Sequence, residues 1–533
     1  MTASLRIRVL EILQWIGFAI VIAALPFSNF FISFGSFWLV GVFILQMINA
    51  HFTDKSAGKF LQEFKSEPLY WMPSVLYLLG LLGLLWTHDF KFASWDLRMK
   101  LPMLFMPFLV LALSRMNKRQ VDWLFKVFIT SLTISTIICL LVYFGFIERR
   151  VKNVRDISIF ISHIRLSMLI VLALAITCHR WVCHGKNVVL SIVIALILIY
   201  FLWIIESLTG FIMIGALVFY FLVRSALISK ERWFKWGVPT LIIAGALSCT
   251  IYVVKQYHDY FTPKDVATKV WPRTTDRGGV YTHYLENNQL ENGHYIMRNI
   301  AWLELQEGWN QRSSIAFDST DLKGNEVKWT LVRYLTSMGL RKDLDAMEEL
   351  TEEDIENIEK GIPSYTFYKS SGIDRRLDKI FFELDNYRNG GSPNGHSVFQ
   401  RFEFWKNAVH VFVRNIWIGV GTGDVKSEIN LQYQLDGSSL VEKNRLRAHN
   451  QYLTYFVAVG ILGGLLCLLA LIYPLTRKWA RTNLVFMSFY IICLLSFLTE
   501  DTLETQVGVT FYAFLYPFLL RYGREDKLSN SIR

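Results

Sequence analysis

The stretch RLRAHNQYLTYFVAVGILGGLLCLLALIYPL, residues 445–475, decides the fold. Its first residues are charged or polar, and the residues that follow are almost all apolar. An apolar run of about 18 residues or more can cross the ~30 Å hydrocarbon core of a bilayer as a helix. The run therefore predicts a membrane-spanning helix, with His449 and Asn450 at the end where that helix meets water.

Similar apolar runs recur along the chain, which has 533 residues, of which 53% are hydrophobic. About twelve of these runs predict membrane helices by length and composition. They lie at 10–28, 31–50, 70–87, 100–115, 121–147, 163–182, 188–205, 208–228, 237–257, 448–475, 482–499 and 505–521. We therefore predict an all-α polytopic membrane protein with about twelve transmembrane helices.

The predicted helices divide the chain into three parts. Residues 1–257 hold the first nine, residues 258–447 form a long hydrophilic segment, and residues 448–533 hold the last three and a tail. Lysine and arginine are concentrated in alternate loops, which predicts cytoplasmic termini and an outside position for the long segment. The net charge of +11 reflects this bias, so it does not indicate a nucleic-acid surface.

The long outside segment is predicted to be mainly helical. In LTEEDIENIEKGIPS, Thr351 and Asp354 have the spacing of a capping box that begins a helix. The stretch SVFQRFEFWKNAVHVFVRN, 397–415, has aromatic and aliphatic residues at helical spacing. This amphipathic helix either lies on the outer membrane surface or the helix bundle, or packs on a core of the segment itself.

Two other motifs are not assigned a ligand. CHRWVCH, 178–184, has neither the spacing of a zinc site nor that of a haem attachment site. GVGTGD, 419–424, lacks the third glycine of GxGxxG and follows no predicted strand. The sequence therefore predicts neither a metal site nor a cofactor.

Arginines are gathered on the predicted outer side. Arg165 ends the basic loop 148–167, Arg401 lies on the amphipathic helix, and Arg447 immediately precedes AHN. Arginines near a membrane surface carry a desolvation cost, which favours an anionic ligand such as a pyrophosphate that guanidinium groups bind bidentately. The alternative for each arginine is contact with lipid headgroups or water.

His449 is the candidate general base, because histidine takes up and releases a proton near neutral pH. The alternative is a residue that only fills the interface, and Asn450 either fixes its tautomer or begins the helix. Glu206, Glu500 and Glu504 lie at predicted outer helix ends. They either orient arginines or the acceptor, or form structural ion pairs.

The order of these motifs resembles that of the O-antigen ligase and O-antigen polymerase family, in the branch found in Bacteroides-type bacteria. The resemblance covers the second half of the chain well and the first half by topology. SHIRLSM, 162–168, and FLTEDTLETQVGVTFYAF, 497–514, also carry it. The matching residues are Arg401, Trp405, Gly419, Gly421, Gly423, His449, Asn450, Tyr452, Leu453, Gly463 and Gly464.

The resemblance implies transfer of a glycan from undecaprenyl pyrophosphate to an acceptor hydroxyl on lipid A core or protein. The reaction would occur at the periplasmic face of the bacterial inner membrane without metal or cofactor. In that hypothesis His449 is the base, and Arg165, Arg401 and Arg447 hold the pyrophosphate. Supporting residues would be Asn450, Gly421, Gly423 and Trp405.

Two alternatives remain. A polymerase would share the catalytic motifs and would use another lipid-linked repeat unit as the acceptor. A polysaccharide or lipid transporter, or flippase, would also have about twelve spans. No charged residue is predicted deep in a span to serve as a coupling site, and this favours the transferase.

Overall fold

The computed structural model describes residues 3–53, 67–113, 116–149, 151, 154–179, 188–265, 271–369 and 372–530. Two features of the sequence analysis are only partly included in these residues. Residues 150 and 152–153 of the basic loop, and Cys183 and His184 of the CHRWVCH motif, lie outside the described residues.

The described secondary structure is almost entirely helical. The only strands among these residues are β1 (Leu290–Glu291) and β2 (His294–Tyr295), which pair antiparallel. The helices are α1 (Ala3–Ala24), α2 (Asn29–Thr53), α3 (Met72–Leu82), α4 (Phe90–Lys100), α5 (Pro102–Ala112), α6 (Lys118–Tyr143), α7 (His163–Thr177), α8 (Val188–Ile204), α9 (Leu208–Ile228), α10 (Arg232–Phe261), α11 (Trp302–Arg312), α12 (Val327–Met338), α13 (Leu344–Glu349), α14 (Glu352–Glu359), α15 (Thr366–Lys369), α16 (Gly372–Arg388), α17 (Ser397–Arg414), α18 (Val425–Leu435), α19 (Gln451–Thr476), α20 (Lys478–Thr482), α21 (Leu484–Thr499) and α22 (Gln506–Asn530). The predicted all-α class is confirmed.

Within the described residues, seven helical segments are long and apolar enough to cross a membrane. They are Leu5–Ala24, Asn29–Ile48, Pro68–Leu85, Lys118–Tyr143, Leu208–Ile228, Arg232–Phe261 and Gln451–Thr476. The helices α7, α8 and α21 are apolar but shorter. A multi-pass membrane protein is confirmed, whereas the number twelve stays a prediction.

The predicted run 100–115 differs most from a full span. Its helix, α5, has 11 residues. At about 1.5 Å of rise per residue it is roughly 16 Å long, about half the thickness of the hydrocarbon core. Pro102 begins this helix, because a residue without an amide hydrogen is tolerated in the first turn.

The described chain forms two compact units. The first contains residues 1–222, 404–438 and 445–533, and the second contains 223–403 and 439–444. These units are groups of residues that contact one another. The predicted boundaries at 257 and 447 instead separate membrane helices from the long hydrophilic segment. Those boundaries therefore stay a prediction. Helix α17 is divided between the units after Glu403.

Aromatic side chains fill the centre of the first unit. Phe486 and Tyr490 on α21 stack with ring centroids 5.5 Å apart, and both are fully buried. Tyr512 and Tyr516 on α22 are also fully buried and lie 5.4 Å apart. Around this layer, α22 packs on α5, α19 packs on α3, and α7 packs on α21. Because lipid is as apolar as these side chains, the rings stabilise a membrane bundle through close van der Waals packing.

Helix α19 is interrupted at Gly460, whose φ of 66° and ψ of −168° are not helical. The segment 416–421 crosses this interruption and supplies the missing hydrogen bonds. The amide of Val420 donates to the carbonyl of Val457 (2.9 Å), and the amide of Ile461 donates to the carbonyl of Ile416 (2.7 Å). Non-helical backbone inside a membrane bundle requires such partners, because lipid offers none.

The second unit has a core of its own, built on α11, α12 and α14. Trp309, Leu331 and Ile358 are fully buried there. The predicted capping box is confirmed, since Thr351 and Asp354 make both reciprocal hydrogen bonds at the start of α14. Residues 397–403 of α17 belong to this unit, where Phe399 lies 5.1 Å from Tyr387 between ring centroids.

Candidate functional site

A charged pocket of about 280 Å³ lies in the first unit where α19 begins. It is closed by the turn between α21 and α22, by α4 and by the beginning of α7. Its walls combine cations, carboxylates and two aromatic rings. The lining residues are Phe92, Trp95, Arg165, Lys426, Arg445, Leu446, Arg447, His449, Glu500, Asp501, Glu504 and Thr505.

The backbone at the start of α19 is fixed by Asp501. One carboxylate oxygen of Asp501 accepts from the amide of His449 (3.0 Å), and the other accepts from the amide of Asn450 (3.2 Å) and from Thr454 Oγ1 (2.8 Å). Asn450 is the N-cap of the helix, with Oδ1 accepting from the amide of Leu453 (3.1 Å). Carboxylates that accept backbone N–H groups at a helix start stabilise it. Of the two roles considered for Asn450, the structure shows the second.

His449 has a left-handed backbone conformation, with φ of 45°. This conformation turns its imidazole into the pocket, where the ring stacks on Phe404 at 5.4 Å between centroids. Nδ1 lies 3.3 Å from Oε2 of Glu500. In the neutral imidazole, a hydrogen bond from Nδ1–H to Glu500 places the free lone pair on Nε2, so Nε2 is the atom that can accept a proton. Histidine oriented by a carboxylate in this way is a common general base.

Arg447 is held by a buried ion-pair network centred on Glu504. Oε2 of Glu504 is 2.7 Å from Nη1 of Arg447, and Oε1 is 2.6 Å from Nζ of Lys100. Gln451 Nε2 also donates to Oε1 of Glu504, at 3.2 Å. Burial alone would raise the pKa of Glu504, but the positive charges of Lys100 and Arg447 outweigh burial and hold the pKa well below its usual range.

Asp96 lies on the far side of this network, with Oδ2 2.7 Å from Nζ of Lys100. Burial and, next, the negative charge of Glu504 raise the pKa of Asp96 to about 7. Its Oδ1 is buried and makes no hydrogen bond among the described atoms. A proton held between Asp96 and Glu504 is the simplest way to satisfy that oxygen, since two close carboxylates resist ionising together.

Three more cations complete the pocket. Arg165 projects from the first turn of α7, and its Nη1 donates to Ser162 Oγ (3.1 Å). Arg445 and Lys426 come from the segment before α19 and from the start of α18. Guanidinium and ammonium groups converging on one cavity are suited to an anion with several oxygens, such as a phosphate or pyrophosphate.

The glycines of GVGTGD are structural. A Cβ at Gly421 would lie 2.9 Å from Thr87 Cα, and a Cβ at Gly423 would lie 2.2 Å from the carbonyl oxygen of Asp89. This close approach lets Asp424 accept from the amides of His88 (2.7 Å) and Asp89 (2.9 Å). Asp89 is the N-cap of α4, so the loop fixes the helix that carries Phe92 and Trp95 into the pocket.

The structure brings together three of the predicted site residues, Arg165, Arg447 and His449. Arg401 and Trp405 are not among the described residues that line the pocket. Arg401 belongs to the second unit, where Nη1 donates to the carbonyl of Ser397 (3.1 Å), and Trp405 is half-buried on α17. The roles of all five stay predictions.

The sequence did not point to Asp501, Lys426 or Lys100. Asp501 could have been selected from the sequence, because it lies between Glu500 and Glu504 at the same predicted outer helix end. No feature of the sequence singles out Lys426 or Lys100, since a lysine near a helix end has the same sequence pattern whether it faces water or a pocket. The sequence left open whether Glu504 orients an arginine or forms a structural ion pair. The structure shows an ion pair with Arg447 that does both.

Comparison with known families identifies part of the chain. Residues 364–468 match the family described as O-antigen ligase. The resemblance seen in the sequence is thus confirmed for a stretch that includes Arg401, Arg447 and His449. The likeness is to the O-antigen ligase family, and it concerns residues 364–468 only. A search of curated proteins gives no match. Among the described residues, His, Cys, Asp and Glu side chains form no group of three or more suited to a metal ion.

Proposed function

We propose that this chain, which carries an O-antigen ligase segment at 364–468, transfers a glycan from a lipid pyrophosphate to an acceptor hydroxyl. The observation that carries the proposal is the pocket in which a carboxylate-oriented histidine, His449, lies beside a set of cations. This combination pairs a proton acceptor with positive charge for a departing pyrophosphate. The family implies undecaprenyl pyrophosphate as the donor.

In the proposed reaction the acceptor hydroxyl loses its proton to Nε2 of His449. The acceptor oxygen bonds to the anomeric carbon while the bond from that carbon to the pyrophosphate oxygen breaks. The electron pair of the broken bond stays on the pyrophosphate, where Arg165 and Arg447 offset the added charge. Attack from the face opposite the leaving group inverts the anomeric configuration. Removing one such charge-stabilising donor costs about 10²–10³ in rate in comparable sites.

The network around Glu504 supports the proposed role of Arg447. Glu504 is held by Lys100 and Gln451 as well as by Arg447. Glu504 therefore keeps partners when Arg447 turns toward a pyrophosphate, which lowers the cost of that exchange. Arg401 is proposed as a further pyrophosphate ligand on the basis of the family motif.

The proposed setting is the periplasmic face of a bacterial inner membrane, with cytoplasmic termini and the segment 258–447 outside. The acceptor is proposed to be lipid A core or a protein, and the lipid bilayer holds the donor. A polymerase would use the same pocket, with a lipid-linked repeat unit as the acceptor. The two differ in the product that accumulates when the pocket is disabled.

The test is a glycan blot of a deletion strain that expresses wild type, His449→Ala, Arg165→Ala or Arg447→Ala at equal levels. His410→Ala is the matched control, because His410 also pairs with a carboxylate, Asp436, but lies outside the pocket. The proposal expects full-length lipid-linked polymer to accumulate unattached in the three pocket variants, and normal attachment in the control.

Other outcomes identify the alternatives. Accumulation of single lipid-linked repeat units would identify a polymerase. Normal attachment in His449→Ala at wild-type protein levels would refute the catalytic role of the histidine. If lipid-linked glycan fails to reach the periplasmic face in the pocket variants, the result would support the transporter hypothesis.

A further inference from the structure

A cluster of four charged residues extends from the pocket into the first unit. Nζ of Lys100 lies 2.7 Å from Oδ2 of Asp96 and 2.6 Å from Oε1 of Glu504. Oε2 of Glu504 lies 2.7 Å from Nη1 of Arg447. Arg447 and Glu504 line the charged pocket, and all four residues line a smaller cavity that shares these two with the pocket. We call the four residues the buried cluster. The reaction proposed above gives no role to Asp96.

Solvent hardly reaches the buried cluster. The side chains of Asp96 and Glu504 are 3% and 2% exposed, and those of Lys100 and Arg447 are 10% and 20% exposed. Charges at this depth are weakly screened and are costly to leave unbalanced. A change of one unit charge on one member therefore changes how strongly the cluster holds the others.

The protonation state of Asp96 sets the charge around Arg447. With a proton on Asp96, the positive charge of Lys100 balances the negative charge of Glu504, so the cluster is neutral without Arg447. Without the proton, two carboxylates face one ammonium group, and Arg447 supplies the second positive charge. The cluster therefore holds Arg447 more strongly when Asp96 is ionised.

Asp96 has the surroundings of a protonated carboxyl group. Its Oδ1 is buried and makes no hydrogen bond among the described atoms, whereas an ionised oxygen at that depth needs donors. Burial and, next, the negative charge of Glu504 raise the pKa of Asp96 to about 7, against the opposing effect of Lys100. The proton is therefore gained and lost near neutral pH.

Other titratable groups near the cluster act alike in both states of Asp96. Tyr455 and Cys467 on α19 face the buried cluster, and Asp501 faces its arginine. Asp501 accepts hydrogen bonds from two backbone amides at the start of α19, and His449 faces Asp501. These groups are present whether or not Asp96 carries a proton. The difference between the two states therefore comes from Asp96.

We propose that Asp96 is a positioning residue that governs Arg447: the protonated carboxyl lets Arg447 turn to the donor pyrophosphate, and the carboxylate keeps it on Glu504. The inference rests on the proposed function and deepens it, since it names a residue outside the charged pocket that controls donor binding. Linkage requires the reverse effect as well. Once Arg447 has turned away, Asp96 holds its proton more firmly, so a donor that binds at higher pH draws one proton from solvent onto Asp96. No bond of the donor changes in this step.

The test measures KM for the donor as a function of pH. Purified protein in detergent uses lipid-linked glycan extracted from the deletion strain as donor, and membranes of a strain that makes no glycan as acceptor. In the wild-type protein KM should rise about tenfold from about pH 6 to about pH 8, because only about one molecule in ten keeps the proton of Asp96 at the higher pH. In Asp96→Asn an uncharged amide replaces the protonated acid, so KM should stay low. Both phosphates of the donor are esterified and do not titrate in this range, and His449 is common to both proteins.

Two further variants separate positioning from a structural role. Lys100→Gln leaves Arg447 as the cation of Glu504 even when Asp96 is protonated, so its KM should be raised already at about pH 6. Asp385→Asn is the matched control, because Asp385 is a buried aspartate of the second unit that accepts from the amide of Leu290 (2.7 Å), and it should keep the wild-type pH profile. In both cluster variants the change should fall on KM and leave kcat at saturating donor unaltered, whereas partial unfolding would lower kcat.

Calorimetry of donor binding in two buffers with different heats of ionisation counts the protons taken up. At about pH 8 the wild-type protein should take up close to one proton more per donor than Asp96→Asn. Equal proton uptake, or the same rise of KM with pH in wild type and Asp96→Asn, would overturn the role of Asp96. A wild-type protein that transfers no glycan from the extracted donor at any pH would instead refute the proposed function, so the two failures are distinct.

Discussion

Replacing Gly460 by alanine should destabilise the first unit more than any change of one methyl group in a regular helix. Gly460 has φ of 66° and ψ of −168°, a region that residues with a side chain almost never adopt. A Cβ at this position would lie 2.3 Å from the carbonyl oxygen of Trp417 and 2.5 Å from the amide nitrogen of Ile418. Both contacts are with backbone atoms, so no side-chain rotation relieves them.

The size of the effect follows from two contributions. Holding a non-glycine residue in this conformation costs about 1–3 kcal/mol. Moving the segment 416–421 away also breaks hydrogen bonds such as Gly421 N to Ala458 O, which measures 2.9 Å, and Ile461 N to Ile416 O, which measures 2.7 Å. Each such bond contributes about 1 kcal/mol, so we expect a loss of about 3–6 kcal/mol in the free energy of unfolding.

The assay is a denaturant titration of the purified protein in detergent, with Gly41→Ala as the matched control. Gly41 lies on α2 with no atom within 4 Å of the position of an added Cβ. There alanine should stabilise the helix by about 0.5–1 kcal/mol. Equal unfolding free energies for the two variants would refute the argument that the interrupted helix and the segment 416–421 support one another.

Three further predictions concern the charged groups. Glu504→Gln should cost about 3–5 kcal/mol, because it removes the carboxylate that pairs with Arg447 in a buried site and leaves Lys100 with Asp96 alone. It should also raise KM for the donor, whereas Glu428→Gln at an exposed pair should change neither; unaltered unfolding and transfer in Glu504→Gln would argue against the network. Asp424→Asn should lower stability by about 1–3 kcal/mol through weaker bonding of two backbone amides, and an unchanged denaturation midpoint would contradict this. The pKa of Asp96, raised from 3.8 to about 7, means that its contribution to stability is fully present below about pH 4 and is lost as pH rises through about 7. Asp96→Asn should therefore flatten the fall in melting temperature over that range, and an unaltered pH profile would show that Asp96 carries no such proton.

The sequence predicted local features well. The helical segments follow its apolar runs, and the capping box at Thr351 depends only on neighbours in the chain. It also selected Arg165, Arg447 and His449, which the fold brings to one pocket although Arg165 is far from the others in sequence. The resemblance to the O-antigen ligase family helped with this selection, because it implies that a base and several pyrophosphate-binding arginines from distant parts of the sequence act at one site.

Features that depend on contacts between distant segments were not predicted. The interruption at Gly460 exists because the segment 416–421 offers hydrogen bonds to α19, and nothing in GILGG requires it. The sequence of GVGTGD did not indicate that Asp424 would accept hydrogen bonds from the amides before α4. The pocket therefore depends on tertiary contacts that periodicity and propensity do not describe.

The left-handed backbone at His449 has a consequence for how this protein can be improved. Residues with a side chain pay about 1–3 kcal/mol to remain in such a conformation, whereas glycine adopts it freely. His449→Gly should therefore recover this backbone cost but lose the stacking of the ring on Phe404, which is worth about 0.5–1.5 kcal/mol, so it should abolish the proposed transfer with little net change in the free energy of unfolding. An engineering campaign that selects variants for thermal robustness alone should therefore place little constraint on this imidazole. The position thus shows how selection for durability alone leaves a proposed catalytic residue unprotected.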